Sequence, residues 1–105
     1  MPIFKETERM DFDWGQRWFS GHKEVQIVNQ SQHTLFVGLF NETDRPTLKK
    51  RHENAITLDS GKSAVYPITE DKVLVTLSYN DEDGMLQNIC FNFTLFKGHR
   101  FRITD

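Results

Sequence analysis

The chain has 105 residues, 37% hydrophobic and 12% aromatic, with a formal net charge of −2. This is the size of one domain, with enough apolar surface to fold without metals or disulfides, and the near-neutral charge excludes an overall field that would gather nucleic acid or anionic lipid. The single cysteine, Cys90, excludes an intramolecular disulfide, the N-terminus lacks the apolar run of a signal peptide, and no stretch approaches the roughly 20 apolar residues that span a bilayer.

Residues 1–22 read as an N-terminal segment that packs on a domain formed by residues 23–105. Within it, "MDFDWGQRWFSGH" holds both tryptophans of the chain. Met10, Phe12 and Trp14 alternate with Asp11, Asp13 and Gly15, which is strand-like. Met10, Trp14 and Trp18 are spaced as on a helix, but Gly15 weakens a helix by about 1 kcal/mol relative to Ala. The expectation is an extended piece, turning at Gly15, that covers an open flank of the domain with its aromatics. The rival is a ligand surface: Trp14 or Trp18 stacks on a sugar or dips into a lipid interface, and Asp11, Asp13 or Arg17 supplies polar contacts.

From residue 23 the dominant period is two, the period of half-buried strands. "EVQIVN" and "TLFVGLF" read as strands joined by the polar turn "NQSQ". The long connection 41–54 follows, and loops of that length in a compact domain are often functional or mobile. "AITL" and "SAVYPI" are shorter strands flanking "DSGK". Pro67 cannot donate to a ladder, which places the second of these at an edge or a bulge. "KVLVTLSY" puts Val73, Val75, Leu77 and Tyr79 on one face. "LQNICFNFTL" puts Ile89, Phe91, Phe93 and Leu95 on one face and Asn88, Cys90, Asn92 and Thr94 on the other. Asp83-Gly84 between them favours a hairpin turn. Phe91 is thereby expected in the core. "FKGHRFRIT" turns at Gly98 and reads as a second hairpin onto the 86–95 strand.

Candidate chemistry is sparse. His22, His33, His52 and His99 are scattered, and one cysteine cannot build a zinc site with them, so no metal is expected. In "NDEDGM" an EF-hand would need an acid at residue 79 and Glu at residue 90; Tyr79 and Cys90 stand there, and a solvated hairpin turn is the plainer reading. Cys90 has no base at an informative spacing and reads as a small, half-buried residue on the second face. No P-loop, dinucleotide fingerprint or G-x-S-x-G is present, so no cofactor and no enzymatic activity are expected. Asp11 and Asp13 could serve a small hydrolase using surface acids, but acids two apart on a strand are usually just solvated. The basic loop Lys49, Lys50 and Arg51 could contact phosphate or direct nuclear import. Glu42, Asp44 and Glu53 dilute it and no aromatic is interleaved, so nucleic acid is an unexpected partner. Asn-x-Ser/Thr triplets at Asn29, Asn41 and Asn92 are read as chance.

The polar face of the last strands remains. Asn88, Asn92 and Thr94, with Arg100, Arg102 and Thr104 on the neighbouring strand, would form one plane of amide, hydroxyl and guanidinium groups. Such a plane can hydrogen-bond a sugar or an extended peptide; the plainer reading is a solvated face with cross-strand pairs.

The run "VQIVNQSQHTLFVGLF" followed by "ITLDSGKSAVYPI" loosely resembles the start of actinoporin- and aegerolysin-type sandwiches, and equally immunoglobulin-like or transthyretin-like domains. The shared features are the Asn29/Ser31 turn, the alternation and Gly61. The resemblance spans about half the chain, assigns no family and carries over no functional residue.

The expected fold is therefore all-β: one antiparallel sandwich of about seven strands with an immunoglobulin-like, transthyretin-like or C2-like cadence, preceded by the aromatic-rich segment. The expected function is non-enzymatic recognition of a protein or glycan through loops and an exposed sheet face, lectin-like in the glycan case. The alternatives are a membrane- or lipid-binding sandwich and a small hydrolase. The expected location is the cytoplasm, or outside the cell by release without a signal peptide.

Overall fold

The structure, a computed structural model, describes residues 4–9, 23–43 and 55–105. These form eight strands and no helix: β1 (Phe4–Arg9), β2 (Glu24–Gln30), β3 (Leu35–Phe40), β4 (Ile56–Leu58), β5 (Ser63–Pro67), β6 (Lys72–Asn80), β7 (Leu86–Phe96) and β8 (His99–Thr104). β2 to β8 fall where the period of two places strands, and β1 is additional. Its sequence, "FKETER", has no apolar alternation to announce it; its order comes from pairing with β8. The rest of the aromatic segment, and residues 44–54 of the long connection, lie outside the described residues.

The strands make two four-stranded sheets, β1-β8-β2-β5 and β4-β3-β6-β7. Alternate residues of both sheets meet in one core. Val25, Ile27, Phe101 and Ile103 come from the first sheet, and Leu35, Val37, Val75, Leu77 and Leu95 from the second. Each is at most 1% exposed, and full burial of such a side chain contributes roughly 1.5–3 kcal/mol.

Two expectations are corrected. First, β8 does not pair with β7. It lies between β1 and β2, antiparallel to the former and parallel to the latter, so the first sheet is mixed rather than wholly antiparallel. The two-residue link Lys97-Gly98 passes the chain between sheets. Lys97 N–H donates to Asp71 O at 2.8 Å, beside β6, and Gly98 N–H donates to Glu24 O on β2 at 2.7 Å. Gly98 has φ 76°, a left-handed value that glycine adopts without a steric cost. Parallel pairing needs no tight turn between partners, and β2 and β8 are far apart in sequence.

Second, β7 does not keep one phase. Val75 opposes Phe93, Leu77 opposes Cys90 and Ser78 opposes Asn88, so β7 carries an extra residue at each of two bulges. Asn92 takes the left-handed conformation, φ 55°, at the first of these; asparagine tolerates it better than most residues. The result puts Cys90 inward, 8% exposed, and leaves Phe91 at 49% exposure rather than in the core.

The connection between β2 and β3 and that between β4 and β5 are both arches from one sheet to the other. They are tied together by Asn29, which is buried. Its side-chain amide donates to His33 O at 2.8 Å and Leu58 O at 2.9 Å, and its side-chain oxygen accepts from Ser31 N–H and Oγ–H. Its backbone pairs with Lys62 O and Gly61 N–H in the other arch.

Two readings hold. The turn between β6 and β7 forms a hairpin over 81–85. Gly84 N–H bonds Asp81 O at 3.0 Å, and Gly84 has φ 77°. β5 is an edge strand. Ile68 N–H bonds Lys23 O and Asn29 N–H bonds Lys62 O, so the intervening even-numbered residues of β5 face β2. Pro67, one step out of phase, therefore turns its nitrogen to the open edge, where no donor is needed.

Candidate functional site

The first sheet has an apolar inner face and a polar outer one because β2 and β8 alternate strictly. On β8, Phe101 and Ile103 enter the core while Arg100 and Arg102 point away from it; on β2, Val25 and Ile27 enter while Gln26 and Val28 point out. The register sets Gln26 beside Arg100 and Val28 beside Arg102 on one flank. On the other flank Glu8 stands beside Arg100 and Glu6 beside Arg102.

These side chains form one network. Arg100 Nε–H donates to Gln26 Oε1 at 2.8 Å, and its terminal nitrogen donates to Glu8 Oε1 at 3.2 Å. Arg102 donates to the same Glu8 oxygen at 2.5 Å. The two arginine side chains are 29% and 33% exposed and Glu8 is 41% exposed, so water screens the pairs and each adds little stability. Their consequence is geometric. Two guanidinium groups, which bind carboxylates in a fork, are held side by side on an open face. Arg102 Nε is buried and makes no hydrogen bond.

Of the residues expected at the polar plane, Arg100 and Arg102 lie here and Asn88 and Asn92 do not. Asn88 is exposed on β7 opposite Ser78, and Asn92 sits in the bulge, its N–H 3.5 Å from Thr76 Oγ1. The two pairs are on different sheets because β8 leaves β7. Trp14, Trp18, Asp11, Asp13 and Arg17, and Lys49, Lys50 and Arg51, lie outside the described residues. Sequence reasoning missed Glu8 and Gln26. The signal for Glu8 was the Glu6-x-Glu8 spacing, acids two apart on the face that β8 fills with arginines.

Of the other chemistry-bearing groups, Asp81, Asp71, Cys90 and His33 have structural partners and the Tyr66 hydroxyl has none. Asp81 accepts from Asp83 N–H, Met85 N–H and Gln87 Nε2. The Met85 N–H foremost, then Gln87, holds its carboxyl below the ordinary value. Asp71 is bridged by Lys23 and Lys97, each at 3.2 Å, and is lowered likewise, Lys23 first. The Cys90 thiol faces Val75 O at 3.6 Å, and burial pushes its pKa up, away from a reactive thiolate. Tyr66 presents a buried hydroxyl without a hydrogen bond, and burial raises its pKa. His33 stacks on Tyr79, ring centroids 4.5 Å apart, with Nε2 3.8 Å from Asp105. Among the described residues no three His, Cys, Asp or Glu side chains are grouped to hold a metal ion.

No protein-family model, no curated protein and no solved structure matches this chain.

Proposed function

We propose that the chain is a non-enzymatic recognition module, a sandwich-like domain of immunoglobulin-like cadence, that binds a protein partner through the outer face of the β1-β8-β2-β5 sheet. The observation that supports this reading is the Arg100–Arg102 pair, braced by Gln26 and Glu8 on an exposed face. Side chains already held in place lose less conformational freedom on binding, so more of the interaction appears as affinity. Forked guanidinium groups favour a partner that presents carboxylates over a neutral glycan.

The test is capture of a partner by the immobilised chain, repeated with Arg100→Ala/Arg102→Ala and with Asn88→Ala on the other sheet as control. Recognition at this face predicts loss in the double variant, retention in the control, and unchanged far-UV circular dichroism in both. A partner retained by the double variant contradicts the reading, and specific binding on an array of neutral glycans moves the ligand class to sugars.

A second reading has its own observation. Leu86, Phe91 and Phe96 of β7 are 41%, 49% and 52% exposed, and aromatic side chains at such exposure suit a lipid interface. Sedimentation with liposomes, neutral and anionic, tests it. Co-sedimentation that is lost in Phe91→Ser/Phe96→Ser favours the lipid reading over the first.

A further inference from the structure

β1 and β8 contribute very unequally to the molecule. β8 sends Phe101 and Ile103 into the core at 0% exposure and is paired to β2 on its far side. None of β1's described side chains belongs to the core; Lys5, Glu6, Thr7 and Glu8 are all exposed. β1 is held by its ladder to β8, by Glu8 on the two arginines, and by Lys5 Nζ donating to Ile89 O at 3.1 Å. The lane beside β8 is therefore built into the domain, while the described side chains of its occupant reach beyond the lane through one exposed hydrogen bond, Lys5 to Ile89 of β7, and bury nothing in the core.

The lane also has a readable specificity. Acids at alternate positions, Glu6 and Glu8, fall opposite Arg102 and Arg100. Glu8 serves both arginines through one oxygen, and Arg102 Nε stays buried without an acceptor. A buried donor without an acceptor is a standing cost. A strand that brings a further acceptor to Arg102 fits the lane better than β1 does. Strand addition at a sheet edge draws affinity from main-chain hydrogen bonds and specificity from alternate side chains.

We propose that the edge of β8 is a strand-acceptor site, that β1 is its resident occupant, and that an extended segment of a protein partner, with acidic residues at alternate positions, displaces β1 and pairs with β8. This rests on the recognition reading for the role of Arg100 and Arg102, and adds the form of the ligand and its competition with β1.

The probe is a fluorescent peptide with the sequence of residues 4–9, Phe-Lys-Glu-Thr-Glu-Arg, and the protein is the full chain. Glu8→Arg sets β1 against the two arginines and frees the lane. Because apparent affinity scales with the fraction of protein whose lane is open, the peptide should bind this variant at least about tenfold more tightly than wild type. Adding Arg100→Glu/Arg102→Glu should abolish the gain, and a peptide with both glutamates changed to lysine should not bind Glu8→Arg. Should Glu8→Arg fail to fold by circular dichroism, Thr7→Pro weakens the β1 ladder instead. Equal affinity in wild type and the folded variant overturns the proposal. Dimerisation of the variant by light scattering, without peptide affinity, also overturns it, since the occupant is then β1 of a second copy. Partner capture that depends on Arg100 and Arg102, with no peptide gain in Glu8→Arg, leaves the recognition face standing and rejects strand exchange alone.

Discussion

Asn29 is a polar side chain with 0% exposure, and it is stable there because both amide hydrogens and the side-chain oxygen have partners. Removing it takes the side-chain donor from Leu58 O and the acceptor from Ser31 N–H in a buried site, while Ser31 Oγ–H can still donate to His33 O at 3.3 Å. Unmet buried groups cost about 1–3 kcal/mol each, partly relieved by water. Asn29→Ala is expected to lose about 3 kcal/mol in urea denaturation, more than its size alone implies; a loss below about 1 kcal/mol would show that the arches do not depend on it. The two phenylalanines Phe101 and Phe91 provide a contrast at the same scale. Phe101 is fully buried and stacks on Phe93 with centroids 4.8 Å apart, while Phe91 is half exposed. Phe101→Ala should cost about 3–5 kcal/mol. Phe91→Ala should cost less than about 1.5 kcal/mol, because a half-exposed ring has less apolar area to lose. The reverse order would restore the unbulged phase of β7.

At the scale of elements, two turn carboxylates are expected to contribute to the acid sensitivity of the fold. The carboxyls of Asp81, in the β6–β7 hairpin, and of Asp71, which joins Lys23 and Lys97, lie below the ordinary value of 3.8 in the folded chain. A depressed folded pKa contributes stability that is complete above the unfolded value and disappears as pH falls through the folded one. Stability should therefore be flat with respect to these two groups from neutrality to about pH 5 and decline below about pH 4. In Asp71→Asn/Asp81→Asn the melting temperature at pH 7 should be lower and its fall toward pH 2 shallower. A parallel fall in wild type and variant would assign the acid limb to other carboxylates. Elements also separate what was legible in the sequence from what was not. The hairpin of β6 and β7 and the edge position of β5 were legible, since Asp83-Gly84 and Pro67 act within a few residues of where they sit. The course of β8 was not. Gly98 announces a turn, but whether a two-residue link returns to β7 or crosses to β2 is decided by Glu24 O and Asp71 O, residues remote in sequence. The bulges of β7 were hidden for a related reason: the alternation of Ile89, Phe91, Phe93 and Leu95 is unbroken in the sequence, and only the pairing with β6 shifts it.

At the scale of the molecule, the placement of β8 decides where the functional groups can be. The sequence alone implies a hairpin onto β7 that sets Arg100 and Arg102 on one polar plane with Asn88 and Asn92. In the mixed sheet the two arginines lie between Gln26 and Glu8 instead, and the proposed recognition face and the proposed strand-acceptor lane both rest on that position. β1, which supplies Glu8, was invisible in the sequence because Phe4 is its one apolar residue and a strand of that composition gives no periodic apolar signal. Side-chain contacts alone do not separate the two arrangements, because Phe101 meets Phe93 across the core. Backbone proximity does. The decisive measurement is a set of inter-strand backbone nuclear Overhauser effects from residues 99–104. The mixed sheet predicts that the Phe101 backbone shows contacts to Thr7 on one side and to Ile27 on the other. Contacts instead from Phe101 to the backbone of β7 in antiparallel register, with none to Ile27, would contradict the account.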